Sequence, residues 1–142
     1  MREVIPGILW IGNAGDACNV PCILGLGITA VIDLALEGPP QKYPREMVYC
    51  RFPLLDGSGN ATAVLRGAID VLALFISVSV PTLVFCGAGM SRSPAVVAAA
   101  LGKVRNEPPR DVLRDILLAT SHDVSPALWQ EIESAATDQM KD

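Results

Sequence analysis

A cysteine stands six positions before an arginine in the run Thr82-Leu83-Val84-Phe85-Cys86-Gly87-Ala88-Gly89-Met90-Ser91-Arg92-Ser93-Pro94. Gly87, Ala88 and Gly89 carry almost no side-chain bulk, so the backbone there can curl until successive N–H groups point inward. Such a nest in front of a helix binds an anion. Arg92 adds a planar fork that can hold two oxygens of a phosphate at once. Cys86 lies at the base of this positive concavity, which favours its thiolate, and a thiolate beneath a bound phosphorus is a nucleophile. A single cysteine after a strand is more often a small buried hydrophobe. The full combination of strand, cysteine, Gly-Ala-Gly, Ser-Arg-Ser-Pro and helix favours a phosphate site.

Cleaving a phosphate ester leaves an oxygen that needs a proton, and a carboxylic acid above the phosphate can supply it. Asp56 precedes Cys86 by 86 − 56 = 30 residues. A parallel strand–helix–strand crossover takes about 30 residues, so both residues can emerge at one sheet edge. The competing reading makes Asp56-Gly57-Ser58-Gly59-Asn60 a polar turn and no more. Asp33, at the end of another expected strand, suits a supporting carboxylate better. His122, the only histidine, reads as a polar loop residue.

The elements that must hold these groups follow from periodicity. Strands are expected near 3–5, 8–11, 29–34, 47–52 and 82–86. Thr82 to Phe85, behind Pro81, forms the strand that delivers Cys86. A helix is expected over 14–25, kinked or delayed by Pro21. Another is expected over Ala61 to Ser77, with Val64, Ala68, Val71, Phe75 and Val78 on its buried face and Asn60 or Thr62 as its cap. Ser93-Pro94 should cap and open a helix through Ala95 to Val104. Two more follow, from Asp111 to Ala119 and from Ser125-Pro126 onward, the last with Trp129 in the core. Strands alternating with helices give a single α/β domain over 1–142, with a mainly parallel central sheet flanked by helices. Ligands of such sheets bind at the carboxyl ends of the strands.

The chain has 142 residues, 51% hydrophobic and 18% charged, enough for one core and incompatible with disorder. A net charge of −4 offers no basic footprint for nucleic acid or an anionic membrane. The strongest apolar run, Val71 to Val80, is too short to span a bilayer. The N-terminus lacks a signal-like apolar segment, and the expected setting is the cytoplasm. Cys18, Cys22, Cys50 and Cys86 are expected as reduced thiols. Cys18-x3-Cys22, with one histidine in the chain, is too sparse for a zinc site. Cys50 reads as packing, or as a disulfide partner protecting Cys86.

The loop resembles the signature of the cysteine-dependent protein tyrosine phosphatases, above all their compact dual-specificity branch: His, Cys, five residues, Arg, then Ser or Thr. Cys86, Ala88-Gly89 and Ser91-Arg92-Ser93 match it. Phe85 departs from it, standing where the family carries His. Ile8 to Asn13, Leu26 to Leu34 and Phe52 to Asp56 also look like family segments, so the resemblance covers most of the chain. It implies a dual-specificity-phosphatase-like fold and hydrolysis of phosphate monoesters through a cysteinyl-phosphate. Cys86 is the implied nucleophile and Asp56 the acid and then base. Arg92 and the amides of Gly87, Ala88, Gly89, Met90, Ser91 and Arg92 hold the phosphate oxygens, and Ser93 eases departure of the sulfur. The reaction needs no metal or other cofactor. The implied substrate is a phosphorylated protein or a small phosphate monoester. The loop lacks the lysines that favour inositol head groups, and neither oligomeric state nor the preferred phosphoresidue is implied. Phe85 cannot donate a hydrogen bond, and it favours the alternative: a weak or inactive module that recognises phosphorylated partners.

Overall fold

A computed structural model describes residues 1–119 and 123–140. His122 lies outside the described residues. Five strands form one sheet: β1 (Arg2–Ile5), β2 (Leu9–Gly12), β3 (Ala30–Ala35), β4 (Val48–Leu54) and β5 (Thr82–Phe85). Their order is β1-β2-β5-β3-β4. Only the β1–β2 pair is antiparallel; β2, β5, β3 and β4 run parallel. The carboxyl ends of β2, β3, β4 and β5 therefore open on one edge, and every candidate group lies there. β4 is an outer strand, which is why Pro53 fits within it without costing an inner ladder bond.

The helices sort by face. The larger core lies between the sheet and α3 (Thr62–Ser77), α4 (Arg92–Arg105), α5 (Pro109–Ala119) and α6 (Pro126–Met140). Ala95 through Leu101 of α4 are all buried; small side chains let this helix lie close to its neighbours. A smaller cluster of Trp10, Ala17, Ile23, Ile28, Val31, Ala35, Leu83 and Phe85 fills the opposite face, beside α1 (Ala14–Cys18) and α2 (Val20–Gly25).

Four expectations change in detail. The helix over 14–25 is two short helices that meet at Asn19, whose side chain accepts from the Cys22 amide. Pro21 lies in the first turn of the second, where its missing N–H costs nothing. The buried stripe of α3 is Leu65, Ala68, Ile69, Leu72, Ala73 and Ile76, while Val78 is exposed. The two stripes sit side by side on the helix, and packing against α4 and α6 selects this one. α3 begins after Ala61 with no side-chain cap; Asn60 is engaged elsewhere. α4 begins at Arg92, not at Ala95, with Ser91 in the cap position and making no side-chain cap bond. Ser93 is therefore inside the first turn and is not the cap.

Candidate active site

The loop after β5 folds against the turn after β2. The Ala14 amide donates to the Gly87 carbonyl at 3.1 Å. Gly89 has φ +73°, and a Cβ there would stand 2.7 Å from the Gly12 carbonyl oxygen. Both the left-handed backbone and the close approach require glycine. Cys86 is buried with its side chain against the main core. Phe85, one residue earlier, points to the opposite face, into the smaller cluster. α4 starts at Arg92, so the positive end of its dipole and its free amides face the loop.

Arg92 is 7% exposed and its fork is already partly used. Nη1 donates to Glu37 Oε2 at 2.7 Å and to the Leu54 carbonyl at 3.0 Å, while Nη2 donates to Glu37 Oε1 at 2.6 Å. A guanidinium has five N–H groups, and these bonds use three of them. The two that remain, on Nε and Nη2, lie side by side along one edge, the geometry that grips two phosphate oxygens. Nε is buried and has no partner among the described residues. Ser93 Oγ, fully buried one residue on, is likewise unpartnered. Orphaned buried donors are rare in folded proteins and call for an explanation; Arg51 Nε, on β4, is a third among the described residues, while the two on α4 stand at the helix start where an anion is favoured.

Glu37 is the residue the sequence reading missed: it looked like part of a Glu-Gly-Pro-Pro loop. A buried arginine needs a counter-charge, and an acid directly after β3, at the carboxyl edge of the sheet, was the available signal. Its hydrogen bonds from Arg92 hold the Glu37 carboxyl below the usual carboxylate range, and Glu37 in turn raises the pKa of Arg92, with smaller contributions from Cys86 and Asp56. A Cβ on Gly87 would meet Glu37 Oε1 at 2.7 Å, so the glycine also makes room for this pair.

Asp56 follows β4 and is exposed. Its Oδ1 accepts from Ser91 Oγ at 2.5 Å. Ser91 Oγ in turn accepts from the Ser125 amide at 3.0 Å. Asn60 closes the Asp56 loop: its Oδ1 accepts from the Leu55 amide and its Nδ2 donates to the Leu55 and Gly57 carbonyls. Glu131 of α6 accepts from the Gly59 and Asn60 amides and from Asn60 Nδ2. Arg92 thus lies within electrostatic reach of Cys86 and Asp56, Ser91 is bonded to Asp56, and Ser93 follows Arg92 in the first turn of α4. Asp33 is buried and accepts from the Ala35 amide and the Tyr49 hydroxyl. Cys50 is registered with Ile32, and Ile32 with Val84. Two strand spacings amount to roughly 10 Å, beyond the Cα separation a disulfide spans, so a Cys50–Cys86 bond does not fit this fold.

The fold and site together define an α/β protein with a cysteine–arginine loop at the carboxyl edge of its sheet, backed by a helix N-terminus. No family model matches the chain. Individual proteins do. It is 31% identical over 105 residues to the dual specificity protein phosphatase Mpk3 of Drosophila melanogaster, covering 72% of this chain and 26% of that protein. It is 37% identical over 106 residues to dual specificity protein phosphatase 14 of Mus musculus, covering 72% of this chain and 52% of that protein. The matches thus span about a quarter and about half of these relatives. The crystal structure of human DUSP28 superposes with a TM-score of 0.84 at 20% identity, over 99% of both chains. In sequence and in fold the chain is similar to the dual-specificity branch of the cysteine-dependent protein tyrosine phosphatases.

Proposed function

We propose that this chain hydrolyses phosphate monoesters, with phosphorylated protein side chains as the substrate class, in two steps through a cysteinyl-phosphate. The observation that carries the reading is the pair of buried, unpartnered donors in the first turn of α4, Arg92 Nε and Ser93 Oγ. In the first step the Cys86 thiolate attacks phosphorus and the ester oxygen departs with a proton from Asp56. Arg92, through its free edge, and the loop amides hold the three non-bridging oxygens and the charge that spreads over them. In the second step water attacks the phosphocysteine, Asp56 takes its proton, and the sulfur leaves as thiolate with a hydrogen bond from Ser93. Atoms and charge balance without a metal or a further cofactor. Four thiols free of disulfides suit a reducing, cytoplasmic setting.

Phe85 favours a second reading, a module that binds phosphorylated partners without turning them over. Hydrolysis of a small aryl phosphate by wild type, Cys86→Ser and Arg92→Lys, without added metal, separates the two. The phosphatase reading expects turnover by wild type, none by Cys86→Ser, and loss of most activity in Arg92→Lys, because a point charge cannot replace the fork. Phosphate binding without turnover in the wild type would select the binding module.

A further inference from the structure

The loop that carries Glu37 is itself held from below. Arg51 of β4 extends its guanidinium under residues 35–38. Its Nη2 donates to the Ala35 carbonyl at 3.1 Å, to the Leu36 carbonyl at 3.4 Å, and to the Gly38 carbonyl. These carbonyls stand on both sides of Glu37. Arg51 is in turn paired with the buried Asp33, at 3.7 Å from Nε to Oδ2. Asp33 accepts from the Ala35 amide at 2.9 Å and from the Tyr49 hydroxyl at 2.5 Å. Tyr49 OH also accepts from the Gln41 amide at 3.0 Å. Burial and the Asp33 hydrogen bond raise the pKa of Tyr49, so it stays protonated and donates.

The loop from Ala35 to Gln41 is thus fastened at its start, on both sides of Glu37 and at its end. This fastening is unusual for an exposed loop, whose default is mobility. The Glu37 side chain is 57% exposed. Solvent screens the Glu37 half of the pair, so its placement also depends on the loop that carries it. Glu37 takes the end edge of Arg92 and leaves the side edge open. If the loop moved, Glu37 would release the guanidinium, which could then turn its free edge away from the phosphate.

We propose that Arg51, whose Nη2 reaches three carbonyls around Glu37 and whose Nε lies 3.7 Å from Asp33, is a positioning residue for the phosphate clamp. It fixes residues 35–38 so that Glu37 orients the open edge of Arg92 toward the substrate. The same strand supplies the Leu54 carbonyl that receives Arg92 Nη1, so β4 sets the arginine from two directions. The inference rests on the phosphate-binding part of the function proposed above and deepens it.

The test is a double-mutant cycle with Arg51→Gln, Glu37→Gln and the pair, with Arg51→Lys as the conservative variant. Two readouts are used on each folded protein, with thermal melting beside them: kcat and KM for a small aryl phosphate, and protection of Cys86 from iodoacetamide by inorganic phosphate. The second does not require turnover. Arg51→Gln is expected to lower kcat and weaken phosphate protection, each by about tenfold, the scale on which misplacing a catalytic group is felt. Added to Glu37→Gln, it should cost less than about twofold more, because both act through one contact. Arg51→Lys, which can still donate to the carbonyls, should recover part of the loss. If the losses multiply in the double variant, or if Arg51→Gln protects as well as wild type, the positioning role is overturned. A wild type that shows the same coupling in phosphate protection but no turnover would keep the clamp and remove the catalytic reading. A wild type that phosphate does not protect would remove both.

Discussion

Ser91 joins the phosphate loop to the Asp56 loop: its hydroxyl donates to Asp56 Oδ1 at 2.5 Å while accepting from the amide of Ser125. Two loops 35 residues apart are closed on one another before any substrate arrives. The bond engages one carboxyl oxygen; in the proposed reaction the other serves the leaving group.

Ser91→Ala should therefore act through Asp56. We expect roughly a tenfold loss of kcat with an alkyl phosphate, whose poor leaving group needs its proton, and a smaller loss with nitrophenyl phosphate. Asp56→Asn should show the same ordering with larger effects. Steady-state rates on the two substrates check this; equal losses on both would assign Ser91 to loop folding alone.

Asn60 and Glu131 hold the same acid loop from its far side. Asn60→Ala removes bonds to Leu55, Gly57 and Glu131 and should cost about 1–2 kcal/mol, read from denaturant unfolding. The amides of Gly59 and Asn60 hold the Glu131 carboxyl below its ordinary value. A carboxylate depressed in the folded state stabilises above its unfolded pKa, near 4.3, and loses that contribution as pH falls through the folded value. Glu131→Gln should thus lower stability at pH 7 and flatten its decline under acid. An unchanged acid limb in the melting profile would rule out this linkage.

Gly89→Ala should be poorly tolerated. It places a side chain at φ +73° and a Cβ within 2.7 Å of a backbone oxygen. The left-handed conformation alone costs about 1–2 kcal/mol, and the clash moves the phosphate loop off β2. A drop in melting temperature with loss of phosphate protection of Cys86 is expected; normal protection would mean that the loop can re-form elsewhere.

Phe85→His puts the family's usual residue in place but into the wrong surroundings. The position is 1% exposed and packed among Trp10, Ile23, Val31 and Leu83, none of which carries a suitably placed acceptor for a second ring nitrogen. Losing the phenyl packing and burying a polar ring should cost about 2 kcal/mol or more. Thermal melting beside turnover decides it. A variant as stable as wild type would show that the pocket holds a partner for the imidazole.

The phosphate loop was legible in the sequence because its chemistry is local. Cys86, the small residues and Arg92 lie within one strand–loop–helix unit, and backbone physics alone suits such a unit to an anion. Alternating strands and helices likewise gave the α/β class and placed Asp56 at the right edge. Tertiary structure decided everything that depends on who meets whom. Ser93 lost the cap position because α4 is extended back to Arg92. Asn60 left α3 to knot the acid loop, since Glu131 arrives from a helix some seventy positions away. The α3 stripe rotated to suit α4 and α6. Above all, Glu37 and Arg51 gained their places through the strand order, which sets β3 between β4 and β5. No local pattern encodes that order. It follows from burying two faces of one sheet at once, and it turns an ordinary loop glutamate into the counter-charge of Arg92.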